Sequence, residues 1–325
     1  ETGTTGGIVG HISNTDGLIR DCENRGTVHG VYRVGGVIGS VNMNGTRAFN
    51  NLVNHGAVTG AADYIGGVIG LWSAGGNLAI EAVMRNEGAV TGVNYVGGVF
   101  GRLYNTLGAN NNYTMKLRNY TNSGTIYGEH CVGGVFGWLK ADNTYGYSIT
   151  MQVSEMKNTG NVTAKIDEAG GIAGYVFAEN TNSTLSGVSS GVITAETEVG
   201  GIVGWYDNGT LTDCSNSGTT VVATKYSTDS NGVKYAYVGG FAGHAPKVVN
   251  CHNAVNITYT AGGRYVGGIA GRSDGEFVNC SNTGSVTAVD SEWVGGLAGY
   301  VYSGGNRTIC SNLKTSTYVR RTPCA

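Results

Sequence analysis

Tyr265-Val-Gly-Gly-Ile-Ala-Gly271 is the stretch whose recurrence decides the fold. A Gly pair, two apolar residues and a third Gly first occur at Gly6-Gly7. The pattern returns at Gly35-Gly36, Gly66-Gly67, Gly97-Gly98, Gly133-Gly134, Gly170-Gly171, Gly200-Gly201, Gly239-Gly240, Gly267-Gly268 and Gly295-Gly296. Successive starts differ by 29, 31, 31, 36, 37, 30, 39, 28 and 28 residues. A motif at such a period marks a solenoid, in which a repeat buries its apolar face only against its neighbours.

Each repeat carries a second fixed part, an Asn-x-Gly turn with a short strand behind it, as in Asn122-Ser-Gly-Thr-Ile-Tyr-Gly128. Matching turns stand at Asn24, Asn54, Asn86, Asn158, Asn216 and Asn282, and Asn253-Ala-Val255 lacks the Gly. Asn and Gly tolerate φ > 0, so these positions are expected to turn corners between short strands. Helical periodicity is nowhere sustained. Three short strands per repeat predict an all-β parallel β-helix (β-solenoid) of about ten coils. Residues 4–314 form this solenoid, Glu1-Thr2-Gly3 reads as an expression scar, and residues 315–325 read as a C-terminal cap or tail.

The 57 Gly residues beside only 2 Pro, with no G-X-Y period, exclude collagen. A net charge of −2 without clustered Lys and Arg argues against nucleic acid as a partner. No apolar run approaches the ~20 residues of a membrane-spanning helix, so membrane insertion by this segment is not expected. N-x-S/T triplets at Asn44, Asn112, Asn119, Asn161, Asn182, Asn208, Asn256, Asn279 and Asn306 permit glycosylation. With sparse charge and abundant Gly, Asn, Thr and Ser, they favour an extracellular address, secreted or at a cell surface.

No C-x-x-C metal framework occurs among the seven Cys. Cys22, Cys214, Cys251, Cys280 and Cys310 each precede an Asn by two residues and should stack coil on coil as small buried hydrophobes. After Cys310 the repeat fails. The tail is expected to fold over the last coil, with Cys324 bonded to Cys310 or another ladder Cys. Insertions gather after the third Gly, chiefly in residues 102–118 and 138–153. A separate one, residues 219–237, carries Ser230-Asn-Gly232 and reads as a projecting hairpin.

The apolar-Gly-Gly-apolar-apolar-Gly core with its downstream Asn-x-Gly turn is similar to the GLUG-motif repeat of bacterial surface proteins. The resemblance covers roughly residues 6–312. It implies a β-solenoid segment of large secreted or surface-anchored proteins, among them adhesin-like proteins and non-catalytic regions of immunoglobulin A-cleaving metalloproteases. It transfers no catalytic residue, and the H-E-x-x-H zinc motif of such proteases is absent.

Chemistry is weakly signalled. Gly187-Val-Ser-Ser-Gly191 matches the G-x-S-x-G nucleophile elbow, but no helix pattern follows and Ser189 falls where other repeats place the turn Asn. The six His are scattered, so neither a metal site nor a cofactor is expected. Asp167-Glu168 and Glu196/Glu198 should stack on neighbouring coils as a solvated edge. No catalytic residue is assigned.

Two columns of large amphipathic side chains suggest a contact surface. One follows the third Gly: His11, Arg102, Trp138, Tyr175, Trp205, His244, Arg272 and Tyr300. The alternative stands before Val/Ile-Gly-Gly: Tyr64, Tyr95, Tyr237, Tyr265 and Trp293. Which column faces outward is open, because both residues after the Gly pair are apolar. The expected function is a non-catalytic adhesin or binding region contacting a host protein or glycan, as a monomeric module of a larger protein. A polysaccharide-active β-helix enzyme and a structural stalk or accessory region of a surface metalloprotease are the alternatives.

Overall fold

The computed structural model describes residues 3–13, 19–43, 49–106, 112–142, 148–178, 182–216, 220–302, 307–308, 310–312 and 316–319. Its regular elements are all β-strands, wound into a parallel solenoid. Sheet II takes one strand per coil from the segment after the Gly pair, such as Ile38–Asn42 and Phe136–Asp142, ten strands in all. Sheet III takes ten strands from the segment leading to the turn Asn, such as Phe49–Asn54 and Tyr113–Asn122. Sheet I has eighteen strands. Most coils give it two short ones, such as Val28–Gly30 and Val34–Gly35, which merge into single strands at Ile126–Gly133 and Val162–Gly170. The expected three strands per coil therefore hold in the middle, and a bend makes four elsewhere.

A shared carbonyl turns the corner after the Gly pair. Val37 N and Ile38 N both donate to Val68 O, at 3.0 and 2.9 Å, and Val68 and Ile69 do the same to Val99 O. Two successive N–H groups on one acceptor bend the chain, so both side chains point inward. That resolves the ambiguity of the paired apolar residues. Val37, Val68, Val99, Val135, Ile172, Ile202, Phe241 and Ile269 form one buried column, and Ile38, Ile69, Phe100, Phe136, Ala173, Val203, Ala242 and Ala270 form a second. Ile8, in the coil at the end of the described stack, is 49% exposed.

The glycines serve close approach rather than φ > 0. Among the described residues, glycines with positive φ are Gly76, Gly209, Gly232, Gly262 and Gly263, none of them a motif glycine. The expectation of left-handed corner glycines is thus corrected. A Cβ on Gly124 of an Asn-x-Gly turn would lie 1.9 Å from Gly88 O of the neighbouring coil. A Cβ on Gly36, second of its pair, would meet Gly67 O at 2.1 Å and Asn54 Cγ at 2.4 Å. The two fixed parts of the repeat therefore touch across the solenoid and pinch it into two lobes. The larger core holds Val37, Ile38, Leu52 and their counterparts, and the smaller holds Val28, Val34, Val58 and theirs.

The pinch is polar and fully bonded through most of its length. Asn54 Nδ2 donates to Gly56 O at 2.7 Å and to Asn86 Oδ1 at 2.8 Å. Asn86 and Asn122 repeat the arrangement, reaching Asn122 and Asn158 at 2.8 Å each. Each buried amide satisfies its own turn and the next coil, as low-dielectric polar groups must. Ser189 lies in register with Asn158 and is buried, so G-x-S-x-G is a worn repeat on a strand rather than an elbow.

Cys214, Cys251 and Cys280 are reduced and buried in the larger core, and Cys22 and Cys310 pack against it. Burial pushes the Cys280 thiol up to about 12. Cys324 and the proposed bridge to it lie outside the described residues. In the tail, Ser316–Val319 pairs in parallel with Val286–Val289, so this part extends the stack. The projecting hairpin is present, with Ser227–Thr228 antiparallel to Lys234–Tyr235 and Gly232 at φ +76°.

Candidate functional site

The two side-chain columns that sequence left as alternatives lie next to each other. The residue two before each Gly pair lies in, or immediately before, the sheet I strand that ends on the first Gly. In seven coils it is left-handed: Arg33, Tyr64, Tyr95, Cys131, Glu168, Tyr265 and Trp293 have φ between 50° and 71°. This conformation is costly for a residue with a Cβ. It leaves the backbone of the column against the bare third Gly of the next coil, where a Cβ on Gly101 would lie 2.5 Å from Tyr64 C. The adjoining column runs in register along sheet II as Arg102, Trp138, Tyr175, Trp205, His244, Arg272 and Tyr300.

The rings interleave. Tyr64 stacks on Tyr95 at 5.3 Å between centroids, Tyr95 on Trp138 at 5.0 Å, and Trp138 meets Tyr175 edge-on at 5.9 Å. Further along, Trp205 meets Tyr237 at 5.2 Å, Tyr237 stacks on Tyr265 at 4.8 Å, and Trp293 stacks on Tyr300 at 4.9 Å. Arg102 lies over the rings of Trp138, Tyr104 and Tyr64 at 4.0, 4.6 and 5.4 Å. The result is one half-exposed aromatic stripe along the solenoid axis, with Trp293 41% exposed near its end. His244 departs from the expected contact set. It is 3% exposed, stacks on Trp205 at 4.2 Å and places Nε2 3.0 Å from Asp274, so it supports a ring rather than presenting itself. His11 belongs to the open first coil, and Ser40 and Leu71 follow it in register, so the stripe begins only farther on.

In the middle of the stripe the left-handed column changes character. Register places Cys131, Glu168 and Glu198 on successive coils, between Tyr95 and Tyr237. The solvated-edge expectation is corrected here. Glu196 does pair with Lys225 at 2.6 Å on an exposed edge, and Asp167 pairs with His130 at 2.6 Å. Glu168 and Glu198 instead sit half-buried among rings. Burial pushes Glu168 up to about 7, the Cys131 thiol that donates to it acting against this and Asp167 adding repulsion. Burial, then repulsion from Glu168, Asp167 and Asp207, pushes Glu198 up to about 8. Burial and Glu168 hold the Cys131 thiol well above its ordinary range, the opposite of nucleophile activation.

Asp207 organises the neighbouring rings. It accepts from Tyr175 OH at 2.5 Å and from Trp205 Nε1 at 2.7 Å. Beside it, Tyr95, Cys131, Trp138, Glu168 and Tyr175 line a shallow depression of about 330 Å³. The acidic members of the column were legible in principle. Counting two back from each Gly pair returns Cys131, Glu168 and Glu198 as readily as the aromatics, but a search by residue type passes over them.

Among the described residues no group of His, Cys, Asp or Glu could hold a metal ion, and no helix is long and apolar enough to cross a membrane. The described N-x-S/T asparagines, Asn112, Asn119, Asn161, Asn182, Asn208, Asn256 and Asn279, are exposed, and Asn44 and Asn306 lie outside the described residues.

The GLUG-motif family model matches residues 195–222 and 262–287, so the chain carries GLUG repeats. Each match spans one coil, from just before a Gly pair, through the ladder Asn, to the short strand behind it. No curated protein and no solved structure gives a significant match.

Proposed function

We propose that this GLUG-repeat solenoid is a non-catalytic binding region of a microbial secreted or cell-surface protein, and that its aromatic stripe contacts a host glycan. The observation that carries the reading is the merging of two side-chain columns into one run of half-exposed rings. The rings recur at the ~4.8 Å rise of the coils. Rings offer sugars a flat apolar face at low conformational cost, and their polar ends offer hydrogen bonds. Exposed acceptor asparagines support the extracellular address.

A glycan array followed by calorimetry on the best hit tests this. Trp138→Ala, and separately Trp205→Ala, should weaken binding about tenfold or more, as anchor rings do. Lys116→Ala, on the exposed outer side of sheet III, should leave it unchanged. Binding that ignores both Trp substitutions sinks the stripe as the contact surface. Capture of proteins but no glycans would reassign the partner. Release of new reducing ends from a bound oligosaccharide would replace the binding module by a polysaccharide-active enzyme.

A further inference from the structure

We propose that the centre of the stripe is a subsite for a protonated amino group, so that the preferred glycan contains deacetylated hexosamine. This rests on the glycan-binding reading and narrows it. The depression lined by Tyr95, Trp138, Tyr175, Cys131 and Glu168 sits at the one stretch of the left-handed column that carries carboxyl groups. Glu168 and Glu198 occupy consecutive coils there, and Asp167 and Asp207 act on both.

Charge complementarity selects the occupant. Elsewhere on the stripe the chain supplies its own cations. Arg264 lies over the Trp293 ring at 4.5 Å and bonds Glu292 at 2.7 Å, and Arg272 bonds Asp274 at 3.0 Å. At the centre Arg102 covers the Trp138 ring, but the two carboxyls have no Lys or Arg of their own. Among the described residues neither Glu168 nor Glu198 forms an ion pair with Lys or Arg, and the one basic group acting on Glu168 is His130, itself paired with Asp167. Burial and mutual repulsion oppose ionisation of these two carboxyls, and an ammonium group beside them would supply the counter-charge that lets them ionise. The ring of Tyr175 adds attraction for the same group, since a cation is drawn to an aromatic face. An N-acetylated sugar has no charge to offer and would gain only the stacking.

Matched-length β-linked glucosamine oligomers, one set fully N-acetylated and one fully deacetylated, separate the possibilities by calorimetry. The native protein should bind the deacetylated oligomer about tenfold tighter or more. E168Q/E198Q, checked for folding by its thermal transition, should lose that preference while binding the N-acetylated oligomer as before. Equal affinity for both oligomers in the native protein overturns the subsite and leaves the stripe reading standing. A preference that persists in E168Q/E198Q overturns it too, because the amine is then recognised elsewhere. Binding of a lysine-containing peptide but of neither oligomer overturns the amino-sugar assignment, and the array then decides the broader reading separately.

Discussion

Ser189 interrupts the asparagine ladder, and the interruption has a visible cost. Among the described residues Asn216 Oδ1 is buried without a hydrogen-bond partner, where its counterparts accept from the coil before. Ser189→Asn should restore that donor and raise stability by about 1 kcal/mol, read as a higher melting temperature. A lower melting temperature would show that this coil cannot accommodate the ladder. Glu168 and Glu198 make a second prediction. Their proton affinities rise from an ordinary value of 4.5 to about 7 and about 8 on folding. The native chain then binds more protons than the unfolded one between those limits. Stability from this pair is therefore full below about 4.5 and is lost as pH rises through about 7 to 8. Melting temperatures followed across that window should fall in the native protein and fall less in E168Q/E198Q. Parallel profiles would contradict the burial of the pair. Neither feature was plain in a single repeat, because a turn Asn and a ladder Asn look identical there. The signal lay in register across repeats.

At the scale of the coil, the apolar columns and the hairpin were legible from sequence, since their patterns follow from burial and turn chemistry. The role of the glycines was not. A glycine required by φ > 0 and one required by a neighbouring carbonyl leave the same letter, and only the stacking distance distinguishes them. Two equivalent turn glycines test the distinction. A Cβ on Gly124 would strike Gly88 O at 1.9 Å, whereas one on Gly26, in the first coil, would find only Asn24 Oδ1 at 3.7 Å. Gly124→Ala should destabilise by about 3 kcal/mol or more, and Gly26→Ala by a few tenths. Equal effects in denaturant titrations would mean that turn conformation, not coil-to-coil approach, demands glycine. The outward column could not be chosen from sequence for a related reason. The shared carbonyl after each Gly pair breaks strand alternation, so counting by twos across the motif fails.

Over the whole molecule, the pinch between the Gly pairs and the asparagine ladder gives the coils one interior plan, broken at Ser189, and leaves the outer faces free to differ. The difference collects in the stripe, which holds Trp138, Trp205 and Trp293, three of the four tryptophans, while Trp72 lies in the core. Tryptophan emission is thus mostly a report from the proposed contact surface. The most direct measurement is a titration of the native protein with its best array glycan, following emission and acrylamide quenching. Binding through the stripe predicts a saturable emission change, protection from the quencher, and loss of both in the Trp138→Ala/Trp205→Ala protein. Saturable binding by calorimetry with unchanged emission and unchanged quenching would place the ligand on another face and contradict the account.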